Sequence, residues 1–184
     1  MEAQLPAPRV LRVVLTGSES TGKTTLAHRL AVHYGTVASR EFVREYAIAR
    51  GNQIGFEDHG PIARGQMAAE DEAVALANRV AFLDTDLVST VVYCEHYYGR
   101  CPAWIAEAAL ARRGDLYLLM NIDVPWVPDP ARDRGDRRPE MHALFRDRLE
   151  RLGLPYVEIS GDWDARFAAA VRAVDELLAR RARG

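Results

Sequence analysis

The residues of this sequence with the most chemistry to offer are Gly17-Ser18-Glu19-Ser20-Thr21-Gly22-Lys23-Thr24, followed by Thr25. They fit G-x-x-x-x-G-K-[ST], a loop in which backbone N–H groups surround the phosphates of a nucleotide, the lysine reaches the β and γ phosphates and the hydroxyl meets Mg²⁺. Gly17, Glu19, Ser20, Thr21, Gly22, Lys23, Thr24 and Thr25 are therefore read as nucleotide-binding, with Thr24 a metal ligand. A glycine turn with a solvated lysine is the competing reading, and the flanks argue against it. Residues 10–16 form a mostly apolar strand, and Leu26, Ala27, Leu30, Ala31 and Tyr34 recur at helical spacing. The loop thus joins a strand to a helix whose positive end faces an anion.

Two further groups of charged residues suit such a site. Val80-Ala81-Phe82-Leu83 is a continuous apolar run closing on Asp84-Thr85-Asp86, the pattern of a strand buried on both faces that delivers a carboxylate beside a metal. Asp84 is read as that metal ligand, and Asp86 either as a second functional acid or as the cap of the next helix. A short strand at 36–39 ends at Arg40-Glu41. Ligands of open parallel sheets sit beyond the carboxyl ends of strands, so Arg40, Glu41, Arg44 and Glu45 are site candidates. Residues 123–139 hold four prolines and Arg132, Arg134, Arg137 and Arg138. Guanidiniums this dense repel one another unless anions sit among them. The segment is either a mobile loop neutralised by Asp129, Asp133 and Asp136, or a lid over about 124–139 whose arginines close over transferring phosphates.

The elements that must position these groups alternate between strand and helix. Five strands, at 10–16, 36–39, 80–83, 116–120 and 154–159, predict an α/β fold with a mostly parallel sheet flanked by helices and an Arg-rich lid. A helix over 61–79 should turn Met67, Val74 and Ala77 inward and Glu70, Asp71 and Glu72 to solvent. At 184 residues and 48% hydrophobic content the chain suits one domain over 9–184, with 1–8 a disordered lead-in that resembles neither a signal nor a spanning helix. A net charge of -2 supplies no global basic field, which excludes a general nucleic-acid binder. No segment points to a membrane. Cys94 and Cys101 match neither a zinc nor a redox spacing and read as reduced thiols of a cytoplasmic protein.

Residues 16–25, Arg40-Glu41-Phe42-Val43-Arg44-Glu45-Tyr46, residues 81–86, Tyr97-Tyr98-Gly99 and residues 126–132 together resemble one family. It is the ribosylnicotinamide kinase domain of bacterial NadR-type NAD-biosynthesis proteins, and the likeness runs along nearly the whole chain. The resemblance implies a P-loop nucleoside or nucleotide kinase-like fold that transfers the γ-phosphate of ATP to the 5′-hydroxyl of nicotinamide riboside, giving nicotinamide mononucleotide, with Mg²⁺. By position it implies that Lys23, Glu41, Asp86 and Arg132 are catalytic, that Arg132 and Arg134 reach the nucleotide, and that Glu41 and Asp86 face the substrate. In the bifunctional members a nucleotidyltransferase domain precedes this unit, and 184 residues leave no room for it here. Where those members carry an aromatic ring before the glutamate, this chain has Arg40. Either Arg40 turns away and Phe42, Tyr46, Tyr97 or Trp104 supplies the ring contact, or the substrate is not cationic. Arg40, Arg44, Tyr46 and Tyr97 complete the expected substrate-binding set.

The partner expected is thus a small nucleoside. Two rivals stand beside this reading: another small-molecule kinase of the same fold, and a nucleotide-dependent switch. A guanine signature Asn-Lys-x-Asp is missing after the fourth strand, where Met120-Asn121-Ile122-Asp123 stands, which favours ATP over GTP.

Overall fold

The structure, a computed structural model, describes residues 9–126 and 137–183. The expected lead-in at 1–8 and most of the lid, Arg132 and Arg134 among it, lie outside the described residues. Four strands form one parallel sheet: β1 (Leu11–Thr16), β2 (Val80–Asp84), β3 (Leu116–Met120) and β4 (Tyr156–Ile159), in the order β2-β1-β3-β4. The helices are α1 (Lys23–Tyr34), α2 (Phe42–Ala49), α3 (His59–Leu76), α4 (Leu87–Tyr98), α5 (Ala103–Ala111), α6 (Arg138–Arg151) and α7 (Trp163–Arg183). No helix among the described residues is long and apolar enough to cross a membrane.

Side chains alternate across each strand, so one sheet feeds two cores. Val13, Leu15, Phe82, Leu118 and Met120 pack against Leu26, Leu30 and Val174 of α1 and α7. Val14, Leu83, Tyr117 and Leu119 pack against Val88, Ile105 and Phe145 of α4, α5 and α6. Burial on both faces is why β1, β2 and β3 read as unbroken apolar runs. The chain leaves β1 for β2 on one side and β3 on the other, and that reversal opens a crevice at the carboxyl end of β1.

The sheet has four strands and not five. The stretch at 36–39 contributes a single bridge, Ala38 to Phe82. Its ends are spent elsewhere: Thr36 donates its N–H to Ala31 at the close of α1 and its hydroxyl to Val80, and the next ladder donor, the Asp84 N–H, goes to the Ser39 hydroxyl at 2.9 Å. A side chain thus replaces the backbone rung and ends the pairing.

The polar face expected on α3 is corrected at one residue. Glu70 is 1% exposed and paired with Arg12 and Arg112, while Met67, Val74 and Ala77 pack against the core as expected beside the buried Ile62, Ala63, Ala69 and Ala73. Arg12 on β1 and Arg112 beyond α5 both reach this carboxylate, so tertiary pairing turned this one acid inward, while Asp71 and Glu72 stay exposed.

Candidate active site

The phosphate loop follows β1 with a fixed shape. Gly17 and Gly22 hold φ of 122° and 84°, and Ser20 sits at 52°. A Cβ on Gly17 would lie 3.0 Å from the Met120 carbonyl, and one on Gly22 would lie 2.4 Å from the Trp163 ring, so glycine is required by neighbours as well as by backbone. Thr21 donates its hydroxyl to Ser18 at 2.9 Å, and Lys23, nearly buried, donates Nζ to the carbonyls of Ser18 and Gly17 at 2.7 and 3.1 Å. Behind the loop, Arg166 of α7 is fully buried. It donates to the carbonyls of Thr21, Asn121 and Gly161 and pairs with Asp123. This brace was not visible in the sequence, where Arg166 is one arginine of an amphipathic helix. Arg138, at the start of α6, is 6% exposed and donates to Val124 and, at 3.5 Å, to Ser20.

β2 delivers Asp84 to the mouth of this loop, 1% exposed, and neither of its carboxylate oxygens makes a well-formed hydrogen bond. Burial first, and the neighbouring Glu41 second, push its carboxyl up to about 6, against the opposing pull of the Thr24 hydroxyl and Lys23. A sealed carboxylate with idle lone pairs, beside a second acid and a hydroxyl, is an all-oxygen donor set that suits Mg²⁺. Thr24 and Asp84 are the residues that would hold it.

A cavity of about 390 Å³ opens from the loop. Its lining includes Gly17, Glu19 and Lys23 of the phosphate loop and α1, Glu41 and Arg44 of the α2 region, His59, Ile62 and Gln66 of α3, Thr85 after β2, and Ser89, Thr90, Tyr93 and Tyr97 of α4. A smaller space of about 130 Å³, lined by residues 20–25 and Arg44, lies over the phosphate loop. Arg44 borders both spaces. α2 is set against α3 by Phe42, whose ring lies where a Cβ on Gly65 would be, 2.0 Å away, so a glycine inside α3 lets α2 come close enough to present Glu41 and Arg44. The far wall is aromatic. The rings of Tyr93 and Tyr97 stack at 6.1 Å, and Tyr98 donates to the Ile54 carbonyl at 3.0 Å.

Of the residues expected from sequence, Lys23, Glu41, Arg44 and Tyr97 meet at this cavity. Arg40 does not: its guanidinium is half-exposed, pairs with Glu45 at 3.4 Å and lies 6.0 Å from the Phe42 ring. Tyr46 also lies elsewhere, donating to Asp58 at 2.7 Å and accepting from Arg50. Asp86 is buried beneath the site, where Oδ1 accepts from the Ser89 N–H at the start of α4 and Oδ2 from the Tyr117 hydroxyl. Trp104 packs under Arg64 and is not a wall of the cavity. Sequence reading passed over Thr85, Ser89, Thr90 and Tyr93. The usable signal was Ser89, Tyr93 and Tyr97 at successive i, i+4 positions, one face of one helix.

A parallel sheet whose central strand ends in a glycine-rich anion loop, with a buried aspartate closing the adjacent strand, defines a P-loop nucleotide-binding protein. The chain belongs to the AAA domain family, which it matches over residues 12–166. It is 35% identical over 176 residues to the trifunctional NAD biosynthesis/regulator protein NadR of Escherichia coli (strain K12), covering 92% of this chain and 43% of that one. Two solved NadR structures, one in complex with NAD and AMP-PNP and one in complex with NR, match 92% of this chain at 28% identity with TM-scores of 0.77 and 0.78. The chain spans 49% and 51% of the lengths of those two, about half of each.

Proposed function

We propose that this protein is an ATP-dependent kinase that phosphorylates the 5′-hydroxyl of nicotinamide riboside, releasing nicotinamide mononucleotide and ADP in the cytoplasm. One observation carries the reading: a single cavity is bounded at one end by Lys23 and the phosphate loop and at its side by Glu41, with room beyond for a nucleoside. The similarity to NadR supports the acceptor, and the complex of that protein with AMP-PNP supports ATP.

Phosphoryl transfer asks a protein for alignment and charge compensation more than for covalent work. The loop amides and Lys23 would hold the β and γ phosphates. Mg²⁺ held by Thr24 and Asp84 would neutralise phosphate charge when bound. Arg44, bordering both spaces, would face the group in transit, and Arg132 and Arg134 would add charge compensation from the lid. Glu41 would orient the acceptor hydroxyl and accept its proton. With Arg40 paired to Glu45 and outside the cavity lining, its guanidinium does not oppose a cationic ring lying among the tyrosines.

The test is ADP release on adding nicotinamide riboside to protein, ATP and Mg²⁺. Riboside-dependent ATP consumption with formation of the mononucleotide is expected. Lys23→Ala should abolish it while leaving the fold intact. Stimulation by another nucleoside alone would put a different acceptor in its place, and GTP preference without transfer to any acceptor would make the protein a switch.

A further inference from the structure

Tyr46, expected from sequence to touch the substrate, spends its hydroxyl on Asp58, and the segment that Asp58 closes is itself part of the cavity. α2 begins just after Glu41 and runs for eight residues, so its far end stands roughly 12 Å from that acid. There Gly51 and Asn52 take left-handed backbone, at φ of 63° and 61°, and fold the chain back over the last turn, where the Asn52 N–H donates to the Ala47 carbonyl at 2.7 Å. Asn52, Ile54 and His59 all line the cavity. Lys23 and Glu41 mark where a phosphate would meet the acceptor hydroxyl, so the 51–58 segment stands where the base end of the acceptor would lie.

Apart from one short 3₁₀ turn, Phe56–Asp58, residues 51–58 have no regular structure, and side chains fix them from two flanks. From α2, Asp58 Oδ1 accepts from the Tyr46 hydroxyl and from the Arg50 guanidinium, both at 2.7 Å, and its Oδ2 accepts from the Gly55 N–H at 2.8 Å. From the end of α4, the Tyr98 hydroxyl donates to the Ile54 carbonyl, and beyond it the Arg100 guanidinium lies 4.3 Å from the Phe56 ring centre. Arg50 is more than half exposed and its ion pair adds little. The Tyr46 and Gly55 bonds to an ionised acceptor are the firmer hold. Resting on the kinase reading above, but not on which nucleoside is the acceptor, we infer that Asp58 is a positioning residue: through Tyr46 and Gly55 it sets the wall of Asn52 and Ile54 against which the base end of the acceptor rests. Asp58 and Tyr46 are themselves outside the cavity lining and touch no reacting atom. Loosening them therefore weakens acceptor binding equally in the ground and transition states and leaves the nucleotide end alone.

The experiment measures kcat and KM for nicotinamide riboside and for ATP, by ADP release, in the wild type, Asp58→Ala, Tyr46→Phe and the double variant, with melting curves as the fold control. Asp58→Ala should raise the riboside KM about tenfold and leave kcat and the KM for ATP within about threefold. Tyr46→Phe should raise the riboside KM about threefold, and the double variant should stay within about twofold of Asp58→Ala, since both substitutions remove one shared bond. A folded Asp58→Ala with an unchanged riboside KM, a KM for ATP that rises alongside, or two effects that multiply overturns the inference while leaving the kinase assignment standing. Should Asp58→Ala fail to fold, Tyr46→Phe decides, and an unchanged riboside KM in that variant sinks the inference. If another nucleoside proves to be the acceptor, the same constants are read on it. Absence of ADP release with any nucleoside removes the kinase reading and this inference together.

Discussion

The hydroxyl of Tyr117, on the inner strand β3, donates to Asp86 at 2.7 Å and accepts from the Gly114 N–H at 3.0 Å. With the Ser89 N–H on its other oxygen, the Asp86 carboxylate is committed on both sides, deep in the protein. Glu41, by contrast, lies on the cavity wall, on the side where an acceptor would stand.

The two acids should therefore separate by experiment. Asp86→Ala strands a buried N–H and a buried phenol and should cost roughly 2–4 kcal/mol of stability, read as a drop in melting temperature of about 5–15 °C. Glu41→Gln should leave melting within about 3 °C and lower kcat by about 10²–10⁴-fold. A stable Asp86→Ala with lost kcat would reverse the assignment.

Asp84 should trade stability for function. Its folded carboxyl is raised to about 6 from an ordinary 3.8. The folded state therefore binds the proton more tightly than the unfolded chain. The stabilisation is complete below about 4 and lost as pH rises through about 6. At pH 7.5, without nucleotide, Asp84→Asn should be more stable than the wild type by roughly 1–3 kcal/mol, and the gain should vanish near pH 4. The same variant should lose at least about 100-fold in turnover. Urea titrations at the two pH values and ADP-release assays check both halves.

Glu70 joins Arg12 of β1 to Arg112 beyond α5, with burial and Asp86 together pushing its carboxyl up to about 7 against the pull of both guanidiniums. Removing it leaves two cations facing each other in a mostly sealed place. Glu70→Ala should cost about 3–5 kcal/mol in chemical denaturation. Glu70→Gln keeps the shape and the acceptor oxygen, and should cost less than half as much near pH 7.

Gly65→Ala tests how α2 is seated. The added methyl would meet the Phe42 ring at 2.0 Å, and Phe42 adjoins Glu41. The ring must move, and α2 with it. The expected result is at least about a tenfold fall in kcat/KM for the acceptor, with the KM for ATP within about twofold, because the phosphate loop is held by β1, α1 and Arg166 instead. Equal losses for both substrates would contradict this division.

Local pattern was enough wherever a short run of chain carries its own instruction. The loop from Gly17 to Thr24, the apolar strands, and Asp84 at the end of one of them follow from glycine spacing and strand burial, which neighbours in sequence settle between themselves. The stretch at 36–39 reads as a short strand but joins the sheet by one bridge only, because residue types say nothing about where its hydrogen bonds go, and a serine hydroxyl took the last rung.

Residues whose role depends on a distant partner were not legible. Asp86 could be a base or a cap until Tyr117, 31 positions away, closed on it. Glu70 looked solvated until Arg12 and Arg112 arrived from 58 and 42 positions off, and Arg166 looked ordinary until it met the phosphate loop across 145 residues. Sequence by itself determined the anion loop and the sheet that carries it, since backbone conformation and strand burial are local. Tertiary structure alone decided which acids face the cavity, because a carboxylate is spent or left available by what packs against it from elsewhere in the chain.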